Sequence, residues 1–404
     1  GTRLEGGALP PGSARRRAGF LIAVRHHMFH NPGSMFARPS IIRILCVLLL
    51  LAGTAWADSA WKIVKVGGRE YLTVDNVAQF YGLPTGVSPI EKRIRLDSGK
   101  LSLEVQLGSR EIMINGVRSW LCFPVQEKDG QYLVSRVDLA KTLEPQLRPQ
   151  MITNLGRFKT VVLDAGHGGS DRGAISSYGY EKDFALDVAR NIKPLLEAKG
   201  LNVKMTRDRD VFVPLELRAR IANATKDSVF VSIHFNATNA NPSANGFEVF
   251  SLTPRGAPST DDDALALRFM NMQAGSPVDA PSLALSMSVH HSVVGHFSEF
   301  DRGIKRARFA VLRLTQIPAI LVEGGFLTER GESRLIAQST WRAKLAQSIA
   351  TGIVNYKGLV DNKTRPTMVA DYRRKGEGPL VLKDATAPAK PESSVAPVVI
   401  PASN

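Results

Sequence analysis

Short runs of alternating apolar and polar residues, separated by turn signals, fill residues 61–149: "WKIVKVGGREYLTV", "KRIRLDSG", "LSLEVQLGS", "REIMINGVRSW" and "GQYLVSRVDLAKTL". Gly67-Gly68 and Asn115-Gly116 fall where two-residue hairpin turns are expected. The pattern predicts a small β-rich domain over residues 58–150 with one or two short helices. From about Phe158 the period changes. "KTVVLDAG", "LNVKMTR", "SVFVSIHFNA", "NGFEVFSL" and "AILVEGGF" read as strands, and "EKDFALDVARNIKPLLEAKG" places Ala185, Val188, Ala189, Ile192, Leu195 and Leu196 on one helical face ahead of a glycine stop at Gly200. Further helices are predicted around Leu215–Ala224, Ala284–Val294 and Trp341–Val354. Strands alternating with amphipathic helices predict an α/β domain over residues 158–358, a mostly parallel sheet with helices on both faces, whose ligands gather at the carboxyl ends of the strands. Residues 359–404 are rich in Pro, Ala and Lys and are expected to form a disordered tail.

Length and charge refine this picture. At 404 residues and 44% hydrophobic content the chain can bury a substantial core. Its net charge of +15 is unevenly placed, because residues 1–57 hold seven Arg and one Glu and leave +9 for the rest. A basic balance suits an anionic surface, whether nucleic acid, lipid headgroups or a bacterial envelope polymer, without choosing among them.

The segment "MFARPSIIRILCVLLLLAGTAWA", residues 35–57, makes the choice. Arg38 and Arg43 precede an apolar run from Ile44 to Ala52 that is too short to span a bilayer, and Ala55 and Ala57 match a cleavage site between Ala57 and Asp58. A secretory signal peptide is therefore expected. Residues 1–34 do not begin with Met, are rich in Arg and Gly, and are set aside as a non-native upstream stretch. Cleavage would remove Cys46 and leave Cys122 as the one cysteine, so a metal site must be built from His and carboxylates. Export without disulfides fits a bacterial periplasm or cell wall.

The histidines that remain are His167, His234, His290, His291 and His296. His167 follows "VVLDAG" and His234 ends "VFVSI", so in a parallel sheet both imidazoles emerge at one rim. Glu181 begins the helix after the first strand and can turn back to that rim. Two imidazoles and a carboxylate with a fourth position open is the arrangement of a catalytic zinc site. The glycines around His167 give a metal room beside the backbone. A phosphate cradle is the competing reading, but "SDRGAISSYGY" intervenes before the helix that such a loop would open directly. Glu323, ending the strand in "PAILVEGGFLTERGE", is a costly place for a carboxylate unless it serves as a general base and acid beside the metal.

"VVLDAGHGGSDRGA", "EKDFAL", "LELRARIAN", "VFVSIHFNA", "GFEVF", "DRGIKRARFAVLR" and "PAILVEGGFLT" together resemble the ordered motifs of the zinc-dependent N-acetylmuramoyl-L-alanine amidases of the amidase 3 type, over roughly Lys159 to Tyr356. The resemblance implies that His167, Glu181 and His234 hold one zinc per chain and that Glu323 is the catalytic carboxylate. The implied reaction is hydrolysis of the amide between N-acetylmuramic acid and L-alanine. Arg218 and Asn236 are the candidate substrate-binding residues. Thr328-Glu329 departs from the Ser-Asn of many members. Peptidoglycan is then the expected partner and an activator protein a candidate one, with no nucleic acid and no stable membrane anchor after signal cleavage. The β-rich domain resembles the copper-amine-oxidase N-terminal-like module, a spacer or wall-binding unit. Two other readings remain open: a peptidoglycan-binding protein without activity, and a zinc peptidase acting within the stem peptide, although "HExxH" is absent. The connection from about Arg255 to Phe300 is longer than a strand-to-strand link requires. It is expected to begin and end near the site rim and to shape or cover the groove.

Overall fold

The computed structural model describes residues 61–238, 240–260 and 274–375. The expected upstream stretch and signal peptide lie outside the described residues. Strands β1 (Ile63–Val66) and β2 (Arg69–Thr73) form the first expected hairpin. The second joins β5 (Glu111–Ile114) to β6 (Val117–Trp120), with β3 (Arg93–Asp97) and β4 (Ser102–Gln106) preceding it. At its turn Asn115 and Gly116 take φ values of 51° and 79°, the left-handed pair that a two-residue turn needs to match the twist of its strands. Helix α1 (Val74–Tyr81) starts where Thr73 Oγ1 accepts from the Asn76 amide at 3.1 Å. Strands β7 (Gln126–Lys128) and β8 (Gln131–Ser135) complete a second small sheet in the order β1-β2-β8-β7. Val77, Leu96, Leu103, Ile112 and Val134 share the core beneath it.

Beyond residue 158 come β9 (Thr160–Ala165), the short hairpin β10 (Ile175–Ser176) and β11 (Gly179–Tyr180), helix α2 (Glu181–Glu197), β12 (Asn202–Met205), α3 (Leu215–Asn223), β13 (Ser228–Asn236) and β14 (Phe247–Leu252). Helix α4 (Asp279–His296), β15 (Asp301–Ala307), β16 (Ala319–Phe326), α5 (Ser339–Asn362) and α6 (Val369–Arg374) follow. The sheet runs β12-β9-β13-β16-β14-β15, parallel throughout except between β16 and β14. Its central strands are apolar on both sides because both faces are covered. Val161, Leu163, Val231, Ile233, Ile320 and Val322 point into the core shared with α2, α4 and α5. Val162, Phe230 and Leu321 point into the opposite core, with Ala222 of α3 and Val311. The α/β class is as expected.

Three expectations change. The β-rich region does not stand apart. β6 pairs in parallel with β15 at Ser119 and Ile304, the Arg118 amide donates to Asp301 Oδ2 at 2.8 Å, and the Trp120 indole donates to the Arg302 carbonyl at 2.9 Å. The result is one ten-stranded sheet ending β15-β6-β5-β4-β3. Strand β15, "DRGIKRA", carries one large apolar residue and was not expected as a strand. Its charges are buried as pairs, Lys305 with Glu248 at 3.1 Å and Arg306 with Asp279 at 2.8 Å, which removes the cost of placing them inside. Residues 359–375 also depart from the expected disordered tail. α5 runs to Asn362, and α6 buries Val369 and Tyr372 against the protein. Residues 376–404 lie outside the described residues. No described helix is long and apolar enough to cross a membrane.

Helix α4 is apolar nearly all round because it is enclosed, lying between the sheet, α5 and α6. It buries His291, and burial, with the neighbouring His290, holds that imidazole down to about 3 from the ordinary 6.5. Asp301 of β15, and Arg365 and Asp371 flanking and within α6, are the other charges acting on it. Since the folded value lies below the unfolded one, the unfolded chain takes up the proton first. The stability His291 contributes is therefore complete above about pH 6.5 and is lost as pH falls toward 3. Thermal unfolding followed downward from neutral pH should show His291→Leu losing less stability than the parent chain. Parallel curves for the two proteins would remove His291 as a source of acid sensitivity.

Candidate metal centre

The centre is assembled where β9, β13 and β16 end. After Ala165 the chain turns sharply, and His167 adopts φ 58°, a left-handed conformation that costs a non-glycine residue on the order of 1–3 kcal/mol and persists only where its surroundings enforce it. They do: Arg218 Nη2 donates to the His167 carbonyl at 2.6 Å. Gly166 is required for a different reason. A Cβ there would lie 2.4 Å from the His234 ring, so only glycine lets the two histidines share the rim. Their ring centroids are 5.0 Å apart, edge to face.

Glu181 lies between them at the first position of α2, where the helix dipole favours a carboxylate. It is 4% exposed and saturated: Oε2 is 3.0 Å from His167 Nε2 and accepts from the Ala174 amide, while Oε1 is 2.8 Å from His234 Nδ1 and accepts from the Phe235 amide. Burial alone would raise its pKa, but the bonds to the two imidazoles outweigh it and hold the carboxyl well below the usual range. Burial likewise pulls His167 down, yet Glu181 and Asp171 overcome it and hold the imidazole above its ordinary value. Ligand atoms of His167, Glu181 and His234 all lie within 4.8 Å of one another. Two imidazoles and one carboxylate form a donor set that suits zinc with one position left over.

Glu323 sits beside this triad. It is the β16 neighbour of His234 on one side and of Glu248 of β14 on the other. Its Oε2 is buried without a hydrogen-bond partner. Burial, reinforced by the Glu181 and Glu248 charges, pushes its carboxyl well above the ordinary value, with Lys305 opposing. The structure thus brings all four expected residues together.

The two candidate substrate residues part company. Asn236 stays on the rim, half-buried, with Nδ2 3.5 Å from Glu248 Oε2. Arg218 is turned into the protein instead. It is 2% exposed, and its guanidinium is spent on Asp164 Oδ1 at 2.8 Å and on the Val213, Ala165 and His167 carbonyls. The long connection ends on the expected rim, where the Phe247 amide donates to the Phe300 carbonyl, but its start is corrected. Because β14 runs antiparallel to β16, Leu252 and the chain after it leave at the rim opposite Glu323. Residues 255–260 lie against the β-rich region, with Arg110 donating to the Ser259 and Thr260 carbonyls. Helix α4 is a core element rather than a lid, and residues 261–273 lie outside the described residues.

The sequence did not single out Asp171. Its Oδ2 is 2.8 Å from His167 Nδ1, so it fixes the ring and leaves Nε2 to face Glu181, the supporting role that carboxylates take behind metal-bound histidines. Its position four residues after His167 in "HGGSD" was the available signal. Glu248 was equally missed. It lies on the rim side of β14, paired with Arg302 and Lys305.

A family profile described as N-acetylmuramoyl-L-alanine amidase matches residues 161–355. The chain is 38% identical over 240 residues to the N-acetylmuramoyl-L-alanine amidase AmiC of Neisseria meningitidis serogroup B, covering 54% of this chain and 57% of that relative. It is 31% identical over 252 residues to the N-acetylmuramoyl-L-alanine amidase AmiA of Escherichia coli, covering 57% and 86%. It therefore spans little more than half of the first relative and most of the second. Among solved structures, N-acetylmuramoyl-L-alanine amidase AmiC2 of Nostoc punctiforme matches at 33% identity and a TM-score of 0.41, over 50% of this chain and 98% of that one.

Removing Arg218 should be felt through stability. Arg218→Ala strands Asp164 as an uncompensated buried charge, for which a loss of about 3–5 kcal/mol is expected. Asn236→Ala, on the rim, should change stability by less than about 1 kcal/mol. Denaturant unfolding of the two variants checks the contrast, and equal small losses would contradict the supporting role of Arg218.

Proposed function

Because the chain belongs to the N-acetylmuramoyl-L-alanine amidase family, we propose that it is an exported zinc hydrolase acting in the bacterial periplasm or cell wall. Its reaction on this reading is hydrolysis of the amide joining the lactyl group of N-acetylmuramic acid to the L-alanine of the peptidoglycan stem. One observation carries it: two imidazoles, one carboxylate and a second buried carboxylate, whose Oε2 has no hydrogen-bond partner, converge at the end of one sheet.

His167 Nε2, a Glu181 oxygen and His234 Nδ1 are the atoms that would hold zinc, and zinc supplies Lewis acidity toward the amide carbonyl and makes water easier to deprotonate. Asp171 keeps the His167 proton on Nδ1, so that Nε2 presents its lone pair to the site. Glu323 Oε2 takes a proton from the attacking water and returns it to the alanine nitrogen as the C–N bond breaks. Its desolvated setting, which favours the protonated form, helps that return. Asn236 remains a candidate contact for the substrate from the rim.

Glu323→Gln should keep about one zinc per chain and lose hydrolysis by on the order of 10²–10⁴-fold, since the amide preserves size but cannot exchange the proton. His167→Ala and His234→Ala should lower zinc content measured by atomic emission. Chelation should abolish hydrolysis while circular dichroism stays near that of the intact protein, because the sheet is held by its apolar cores. Digestion of purified peptidoglycan decides the bond. Free lactyl carboxyls with intact peptides beginning at L-alanine support this reading. Shortened peptides would mean a peptidase, and no release from the zinc-loaded protein would mean a binding role.

A further inference from the structure

The loop from Thr206 to Pro214, between β12 and α3, is fastened to the His167 turn more firmly than its position requires. Gly169 donates to Asp210 Oδ1 at 2.7 Å, and Lys182 clamps both Asp210 and the Gly169 carbonyl. Arg207 spends its guanidinium on the Ala165, Gly166 and Lys182 carbonyls, and Arg218 holds the Val213 carbonyl. The Phe212 backbone packs so closely on Gly169 that a Cβ there would lie 2.6 Å from the Phe212 nitrogen. Yet this rigid framework leaves large apolar side chains in water: Val211 is 36%, Phe212 54% and Leu215 49% exposed.

An apolar patch that is held rigid, exposed, and packed on Gly169, two residues after the metal-ligand candidate His167, is a binding surface in search of its occupant. Charge narrows the occupant. Lys182 neutralises Asp210, which leaves Asp208 and Glu216 against Arg209 among the exposed ionisable side chains from Asp208 to Glu216, close to balance. A stem peptide bearing free carboxylates meets no surplus of cations on such a surface, whereas an uncharged acetamido sugar needs none. The apolar face of a sugar ring lies well on a phenyl face.

We propose that Val211, Phe212 and Leu215 form a platform for the glycan strand, with Phe212 stacked on a sugar ring flanking the muramoyl residue that is cleaved. The proposal rests on the amidase reading and extends it to where the polymer lies. Binding energy gathered at this remote ring holds the scissile amide over the site.

The test uses the full chain, its Phe212→Ala and Phe212→Trp variants, and two substrates. For polymeric peptidoglycan, Phe212→Ala should raise KM on the order of tenfold with kcat unchanged, the size expected for loss of one aromatic contact, and Phe212→Trp should restore it. For a monosaccharide muramoyl peptide, which has no flanking sugar, both parameters should stay within about twofold, a difference too small to represent loss of such a contact. Independently of catalysis, calorimetric affinity for an N-acetylglucosamine tetramer should fall by a similar factor in Phe212→Ala and recover in Phe212→Trp. Unchanged KM and tetramer affinity overturn the platform, as do equal losses on both substrates. A Phe212-dependent dimer on size exclusion would assign the surface to a second copy instead. If the parent chain cleaves neither substrate the amidase reading fails, and the tetramer titration still decides the platform.

Discussion

The site depends on a charge pair that water never reaches. Asp164 of β9 and Arg218 of α3 are both essentially buried and joined at 2.8 Å. The remaining acceptor capacity of Asp164 is taken by Thr206 Oγ1 at 2.6 Å and Ser232 Oγ at 2.7 Å. One carboxylate thus ties together β9, the chain after β12, β13 and α3. A buried pair is weak evidence for stability in itself, because desolvation cancels much of its attraction, but a fully satisfied one permits a single arrangement of its partners. Here that arrangement directs Arg218 onto the His167 carbonyl and holds an unfavourable backbone conformation in place. Hydrophobic burial makes the sheet, and this network determines how the first histidine leaves it.

Much of that could be read from the residues alone. The continuous apolar runs of β9, β13 and β16 announced strands covered on both faces, and the positions of His167, His234 and Glu323 at their ends followed from parallel pairing. Glu181 at the start of α2 followed from the helical period. What stayed hidden had a common cause: partners distant in sequence. Arg218 looks like a free cation until Asp164 is found 54 residues earlier. β15 looks too charged for a strand until Glu248 and Asp279 are seen to neutralise it. The reversal of β14 against β16 has no local signature, and it is this reversal that starts the long connection at the far rim.

The boundary between the β-rich region and the α/β region was legible as a change of period, but a change of period marks a change of covering layers and need not mark a gap in the sheet. The β5–β6 hairpin has the alternating burial of a one-sided antiparallel sheet, and β15 has the deeper burial of an enclosed strand. Backbone pairing is indifferent to that distinction, so the two kinds of sheet fuse at Ser119 and Ile304.

This fusion gives the β-rich region a role that requires no ligand. Without β6, strand β15 would be the bare margin of the larger sheet, offering unpaired amides and carbonyls to any passing strand. Margins of that kind template aggregation. The region serves as an edge guard: it closes the vulnerable side of the sheet and moves the open margin outward to β3. Strand β3 alternates exposed Arg93, Arg95 and Asp97 with inward Ile94 and Leu96, and charges on an edge discourage further pairing. An excised α/β half would therefore keep its metal-site residues and lose its protection against self-association.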